Sequence, residues 1–269
     1  MNIVILIDRY FPTPVSGAVL IKDLAIELRQ LGHEVFILTG DSTIQGDSEI
    51  IIDDDVNVYK VKVPDQKSLS LPRRLLFELF LQRRIWKFFA SEIKLLKIDL
   101  VIVHSPTIFW SYLLKKIRIY QNPLVYLVLR DIFPRWVVET KLISIFNPVY
   151  WFLKRHEKKL YKEADVIGVQ SKSNLNHFNN KSYRGSYKLE VLFNWKQIVP
   201  HKLEKWNLRE KFNLQNKVIY VFGGNIGFAQ DVDNLLTLVS AFKNEKKIHF
   251  LFIGEGTEYS RIEKWLKNQ

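Results

Sequence analysis

Short runs of Val, Ile and Leu alternate along the chain with segments in which apolar residues recur at helical spacing. The first run, residues 2–7, is apolar on both faces, as is typical of a central strand in a parallel sheet. Ile21, Leu24 and Leu28 then share one face of a helix that is expected to end near Gly32. This alternation predicts an α/β fold of parallel strands joined by crossover helices.

Two Rossmann-like units are predicted. Seven strands are expected before residue 195, at residues 2–7, 34–39, 56–63, 100–104, 124–129, 166–169 and 189–192. A charged, irregular stretch follows and then a second strand–helix–strand–helix series. The pattern predicts a complete N-terminal domain at 1–195, a linker at 196–216 and the beginning of a second domain at 217–269.

Composition narrows the classes of function. The formal net charge is +12, and between residues 60 and 118 there are 13 Lys or Arg against four Asp or Glu, which predicts an anionic partner. The absence of cysteine excludes disulfides and thiolate metal sites and favours the cytoplasm. Neither a signal peptide nor an apolar run of membrane-spanning length is expected.

Polar residues follow three of the predicted strands, at the edge where open α/β sheets bind ligands. Ser16 and Gly17 lie at the start of the first helix, where backbone amides favour an anion, although an ordinary loop with a Ser cap fits the spacing equally well. His104 ends one strand and the pair Arg130 and Asp131 ends the next. The alternative interpretation of His104 is a purely structural role. The alternative for Arg130 and Asp131 is a salt bridge that closes the end of the strand.

A glycine-rich turn follows the first strand of the second unit. Gly223, Gly224 and Gly227 lie within five residues, a spacing that exposes amides to a diphosphate. A Gly-Lys-Ser/Thr sequence is missing, so the turn is not a P-loop, and a glycine turn required only by packing remains the alternative. Neither serine-hydrolase nor metal-ligand spacing is found, and no metal site is expected.

A basic amphipathic helix with aromatic residues is predicted at residues 71–90. Such a helix can lie on an anionic membrane surface, while packing of its apolar face into the core is the simpler alternative. No nucleic-acid recognition motif accompanies the charge, so nucleic acid is not expected as a partner.

The chain resembles glycosyltransferase family 4, and within it the N-acetyl-L-fucosamine transferases of O-antigen and capsule biosynthesis. The segments that carry the resemblance are residues 8–12, 32–35, 104–107, 129–134, 192–195, and 223–227 with Gln230. It implies a two-Rossmann-domain (GT-B) fold and retaining transfer from a nucleoside diphosphate sugar, with UDP as the expected nucleotide, without a metal or other cofactor. The acceptor implied is a polyprenyl-diphosphate-linked glycan at the inner face of the cytoplasmic membrane.

The resemblance also implies roles for individual residues. Arg130 and Asp131 are the catalytic candidates, with Arg130 at the position of a sugar-contacting His in other members. The candidates for binding the donor diphosphate are Gly223, Gly224, Asn225, Gly227 and Gln230. Asn225 and Gln230 stand where many relatives carry Arg and Lys. Ser16 and Gly17 form the acceptor or phosphate loop, and His104 and Asn194 are further candidates.

A Glu-x7-Glu motif of the family, which holds the donor's ribose and sugar, would lie beyond residue 269. Two other functions therefore stay open beside the transferase. One is a catalytically inactive module that binds a membrane or a partner. The other is a sugar-nucleotide 2-epimerase, which shares the architecture but is disfavoured by the sequences at residues 8–12 and 130–131.

Overall fold

A computed structural model describes residues 1–13, 15–65, 69–180, 183, 187–196, 198, 207–227 and 230–268. The chain divides into two compact units, Met1–Ile198 and Val199–Gln269, here called unit 1 and unit 2. Much of the predicted linker, at residues 197 and 199–206, lies outside the described residues, as do Pro14 and residues 228–229 of the two predicted ligand loops.

Unit 1 is built on one eight-stranded sheet. In sheet order the strands are β3 (Ser48–Asp53), β4 (Val56–Lys62), β2 (Glu34–Asp41), β1 (Asn2–Arg9), β5 (Leu100–His104), β6 (Leu124–Leu129), β7 (Val166–Val169) and β8 (Leu189–Val191). All neighbours are parallel except β3 and β4. The predicted α/β class is confirmed.

Helices cover both faces of this sheet. Those of unit 1 are α1 (Ser16–Gln30), α2 (Leu71–Leu95), α3 (Ser111–Tyr120), α4 (Arg135–Glu139), α5 (Pro148–Glu163) and α6 (Lys172–Phe178). Successive residues of β1 enter different cores: Ile5 packs with Ile21 of α1, while Leu6 packs with Ile85 of α2. Burial on both faces explains why β1 is almost continuously apolar.

Strand β3 was not predicted, and the described part of unit 1 has eight strands where about seven were expected before residue 195. This edge strand leaves Ile50 and Ile52 exposed, and its burial therefore has no regular alternation. It joins β4 through Asp54 and Asp55, both with positive φ (48° and 60°). A hairpin turn of this kind usually contains glycine, and its absence hid the signal.

Helix α2 confirms the predicted helix and extends it to Leu95. Leu81, Ile85, Phe89 and Ile93 are buried in the core of unit 1. Most of the apolar stripe that suggested a membrane surface therefore packs inside the protein, as the alternative interpretation supposed.

Unit 2 contains a parallel pair of strands with helices. Its elements are α7 (Leu208–Lys211), β9 (Val218–Gly223), α8 (Val232–Ala241), β10 (Ile248–Ile253) and α9 (Tyr259–Lys267). A small core forms from Ile226, Val232, Leu236 and Ile262.

Candidate functional site

The carboxyl edge of the unit 1 sheet brings Gly17 and His104 together. A Cβ atom on Gly17 would lie 2.8 Å from Cε1 of His104, so the first turn of α1 rests directly on the imidazole. His104 is only 2% exposed, and neither ring nitrogen has a hydrogen-bond partner among the described residues. The ring therefore retains one donor and one acceptor in a buried position.

Burial sets the charge of His104. Desolvation lowers its pKa to about 4; the positive charge of Arg130 adds to this effect and the negative charge of Asp8 opposes it. The imidazole is consequently neutral at pH 7. Asp8 and Arg130 come from the ends of β1 and β6, on either side of β5, so three neighbouring strands contribute to one cluster.

Ser105 holds the loop that carries Arg130 and Asp131. Its Oγ accepts hydrogen bonds from the backbone amides of Arg130 at 2.8 Å and Asp131 at 3.4 Å. The Nε of Arg130 is buried and has no partner in the described part of the chain, while Asp131 is exposed. The loop thus presents one cation beside His104 and one carboxylate toward solvent.

Glu78 of α2 belongs to the same neighbourhood, although it is not among the site residues predicted from the sequence. Its side chain is 11% exposed and accepts a 3.2 Å bond from Nε of Arg74. Burial and the negative charge of Asp8 raise the pKa of Glu78, and Arg74 opposes that rise only in part. The one available signal was an acid within an apolar helix face, four residues after an Arg.

Asn194 lies at the same edge, after β8. Its Oδ1 accepts a 2.7 Å bond from Nε2 of Gln170, which follows β7. The next residue, Trp195, donates from Nε1 to the backbone oxygen of Leu20 at 2.8 Å, and so ties this segment to α1.

Ser16 is the first residue of α1 rather than its cap. Val15 occupies the N-cap position, and no side chain of the described residues caps the helix. The alternative interpretation is therefore wrong in assigning Ser16 as the N-cap. Val15 is extended, and the amides of the first turn that follows it are the free donors of the helix N-terminus.

In unit 2, the glycine turns after β9 and β10 pack against each other. The amide of Gly224 donates to Ile253 O at 2.9 Å and that of Ile226 donates to Glu255 O at 2.8 Å. Gly254 has φ +159°, and a Cβ there would lie 1.8 Å from Gly224 O. The close approach of two backbones therefore requires glycine at residue 254, whereas Gly224 is favoured by its φ of +139°.

Gln230 closes the first of these turns. Its Oε1 accepts from the amide of Gly227 at 3.1 Å and from Nδ2 of Asn225 at 3.3 Å. The amides of Gly224 and Gly227 both have acceptors within the unit, so a diphosphate would have to replace those bonds. Among the described residues, no atom lies within 4 Å of a Cβ added to Gly223 or Gly224.

Within the described residues, no group of three or more His, Asp or Glu side chains could hold a metal ion. None of the helices described is long and apolar enough to cross a bilayer.

Comparison with known proteins gives one family match. The sequence model for Glycosyltransferase Family 4 matches residues 17–191. A probable glycosyltransferase of Pseudomonas aeruginosa, WbjE, is 26% identical over 141 residues, which cover 51% of this chain and 35% of that protein. The match to this curated relative thus spans about a third of its length.

Solved structures show the same fold. Sucrose-phosphate synthase from Thermosynechococcus elongatus aligns with a TM-score of 0.69 and 13% identity, over 99% of this chain and 67% of that one. WaaG, a glycosyltransferase involved in lipopolysaccharide biosynthesis, aligns with a TM-score of 0.60 and 11% identity, over 99% and 66%. These similarities confirm the GT-B fold.

Proposed function

The chain belongs to glycosyltransferase family 4, and from this premise we propose that it takes part in moving a sugar from a nucleoside diphosphate sugar to an acceptor bound by unit 1. The observation that carries the proposal is the cluster of Gly17, His104 and Arg130 at the carboxyl edge of the sheet. Open α/β sheets bind their ligands at this edge.

The cluster combines two binding chemistries. Arg130 and the first turn of α1 can bind a phosphate, while the carboxylates of Asp8 and Glu78 can accept hydrogen bonds from sugar hydroxyls. Neutral His104 can donate one hydrogen bond and accept another. A glycan linked to a polyprenyl diphosphate carries both phosphates and hydroxyls, and we assign it as the acceptor, at the inner face of the cytoplasmic membrane.

Unit 2 is the proposed donor side. Gly223, Gly224 and Gly227 would lie against the diphosphate, with Asn225 and Gln230 as neutral hydrogen-bonding partners in place of cations. We propose UDP as the nucleotide and N-acetyl-L-fucosamine as the transferred sugar, with retention of configuration. The resemblance of residues 192–195 and 223–227 to that group of transferases supports this choice.

Arg130 and Asp131 are the proposed contacts to the reacting groups. A guanidinium already positioned in a partly buried site stabilises negative charge on a bound phosphate without reorganisation. The bond from Ser105 to the loop holds Arg130 in place. Asp131, being exposed, is available to orient an acceptor hydroxyl.

Titration calorimetry with UDP and UDP-sugars tests the donor side. Gly223→Asp places a carboxylate beside the turn without a clash with the described residues, and we expect it to weaken UDP binding by about tenfold or more through charge repulsion. Gly223→Asn is the matched control of equal size, and we expect it to bind UDP better than the Asp variant.

The absence of UDP binding at millimolar concentration, together with no sugar transfer, would contradict the transferase. That result would favour the alternative of a catalytically inactive module. Equal UDP binding by the Asp and Asn variants would instead mean that the diphosphate does not bind at the Gly223 turn.

A further inference from the structure

Unit 1 exposes a compact set of large apolar side chains between α4 and the first turn of α5. Phe146 is 87% exposed and Trp151 is 61% exposed. We call the set the apolar tip; its members are Leu142, Ile145, Phe146, Val149, Trp151 and Phe152. Exposed apolar side chains grouped in this way mark an interaction surface rather than ordinary surface composition.

The charges around the apolar tip are positive. From Lys141 to Arg155 the sequence has three cations and no Asp or Glu. Farther along α5, Glu157 is fully buried beside Lys154, and the side chain of Glu163 is 14% exposed.

The outward face of α5 continues the apolar tip with basic residues. Trp151, Arg155, Lys159 and Lys162 follow one another at intervals of four, four and three, so they share one face of the helix. Arg155 and Lys162 are exposed and Lys159 is partly exposed. We call these three cations the basic stripe.

Topology puts the apolar tip at the same edge of the sheet as the candidate site. Helix α5 connects β6 to β7, which are parallel neighbours, so it begins at the carboxyl edge and ends at the amino edge. Its first turn therefore lies at the edge where Arg130 and Asp131 follow β6. One connection of the chain carries both the catalytic candidates and the apolar tip.

We propose that the apolar tip and the basic stripe dock unit 1 onto an anionic lipid bilayer. Trp, Phe, Leu and Ile enter the interface between headgroups and acyl chains, and Lys and Arg contact the anionic headgroups. Docking in this orientation lays the outward face of α5 along the membrane that carries the acceptor. The carboxyl edge, with its Arg130 cluster, then lies beside that membrane, because the apolar tip is at the same edge. The inference deepens the proposed function and rests on its lipid-linked acceptor.

Helix α2, the surface that the sequence suggested, is less suited to this role. Among its described side chains, the exposed apolar ones are Leu76, at 50%, Phe80, at 40%, and the terminal Leu95, at 84%, while Ile85 and Phe89 are buried. Two of its cations form ion pairs, Arg74 with Glu78 and Arg84 with Asp47. The α2 surface therefore supplies the matched control.

Co-sedimentation of the full chain with vesicles tests the surface, without nucleotide or acceptor present. The vesicles contain phosphatidylglycerol and phosphatidylethanolamine, or phosphatidylcholine alone. We expect binding to the anionic vesicles, a loss of affinity of about tenfold or more in Phe146→Ser/Trp151→Ser, and near wild-type affinity in Leu76→Ser/Phe80→Ser. Arg155→Gln/Lys162→Gln should reduce the preference for anionic over neutral vesicles.

Several outcomes would overturn the inference. The proposed docking to lipid would be wrong if the wild-type chain did not bind anionic vesicles. It would also be wrong if the Phe146→Ser/Trp151→Ser variant, the tip variant, bound them as well as the wild type does. If the wild-type chain formed a dimer that dissociated in the tip variant, and neither bound vesicles, the apolar tip would instead be the contact with a second copy of the chain. Vesicle binding without sugar transfer would leave the docking surface intact while rejecting the proposed function. Circular dichroism and thermal unfolding establish that each variant is folded.

Discussion

The backbone of Gly17 rests on the imidazole of His104, so closely that a Cβ at residue 17 would lie 2.8 Å from Cε1 of the ring. Gly17 does not have the positive φ that favours glycine, and the requirement for glycine there is one of space. The start of α1 and the end of β5 are thereby held in one arrangement.

Gly17→Ala should force this contact apart. The ring is buried among fixed neighbours, so we expect a loss of about 1–3 kcal/mol in the free energy of unfolding and weaker acceptor binding. Denaturant unfolding and a transfer assay would measure the two effects. Gly46→Ala is the control, because its nearest atom, Ser48 O, would lie at an ordinary 3.6 Å. Equal stability of the two variants would contradict the close packing.

His104 should make the stability of the chain depend on pH. Its pKa is about 4 in the folded protein against an ordinary 6.5, so the unfolded chain takes up the proton first as the pH falls. We expect about 3 kcal/mol of unfolding free energy to be present above pH 6.5 and lost as the pH falls to 4. Urea unfolding at pH 7.5 and 4.5 would show a smaller difference in His104→Gln. An unchanged difference would mean that His104 is not held neutral by burial.

Glu78→Gln should raise the stability of the protein while lowering its transfer activity. Because the pKa of Glu78 is raised, its contribution to stability is present below the unfolded pKa and is lost as the pH rises through the folded one. The Gln variant should therefore gain stability relative to wild type as the pH rises above the ordinary titration range of a glutamate carboxyl. Transfer should fall by roughly tenfold to a hundredfold if the carboxylate binds an acceptor hydroxyl.

Glu49→Gln, on the exposed edge strand β3, is the matched control for this substitution. We expect it to change neither transfer nor the pH dependence of stability appreciably. A Glu78→Gln variant with full transfer activity would place Glu78 outside the acceptor site.

Asp41 and Lys60 form a buried ion pair between β2 and β4, with Nζ to Oδ2 at 2.8 Å and side chains only 3% and 6% exposed. Lys60→Met leaves the carboxylate of Asp41 without its cation, and we expect a loss of about 3–5 kcal/mol in unfolding free energy. The double variant Asp41→Asn/Lys60→Met should recover much of that loss in denaturant unfolding. A double variant no more stable than Lys60→Met would contradict this account.

Much of the fold could be predicted because its signals are local. Strands buried on both faces read as continuous apolar runs, and residues 2–7, 100–104 and 124–129 were recognised for that reason. The order of strands and helices then places their loops at one edge, which is why Gly17, His104 and Arg130 could be selected together. Strand β3 could not be predicted in this way, because an edge strand needs no apolar run on both faces and its turn need not contain glycine.

The sequence by itself determined the α/β class, the family resemblance and the loops from which site residues come. Only the tertiary structure decided that Glu78 lies near Asp8, that His104 is buried and neutral beneath Gly17, and that Phe146 is exposed while Phe89 is not. The physical reason is that burial and charge depend on which groups are packed together from distant parts of the chain. Periodicity along one helix shows which residues share a face, but not whether the rest of the protein covers it.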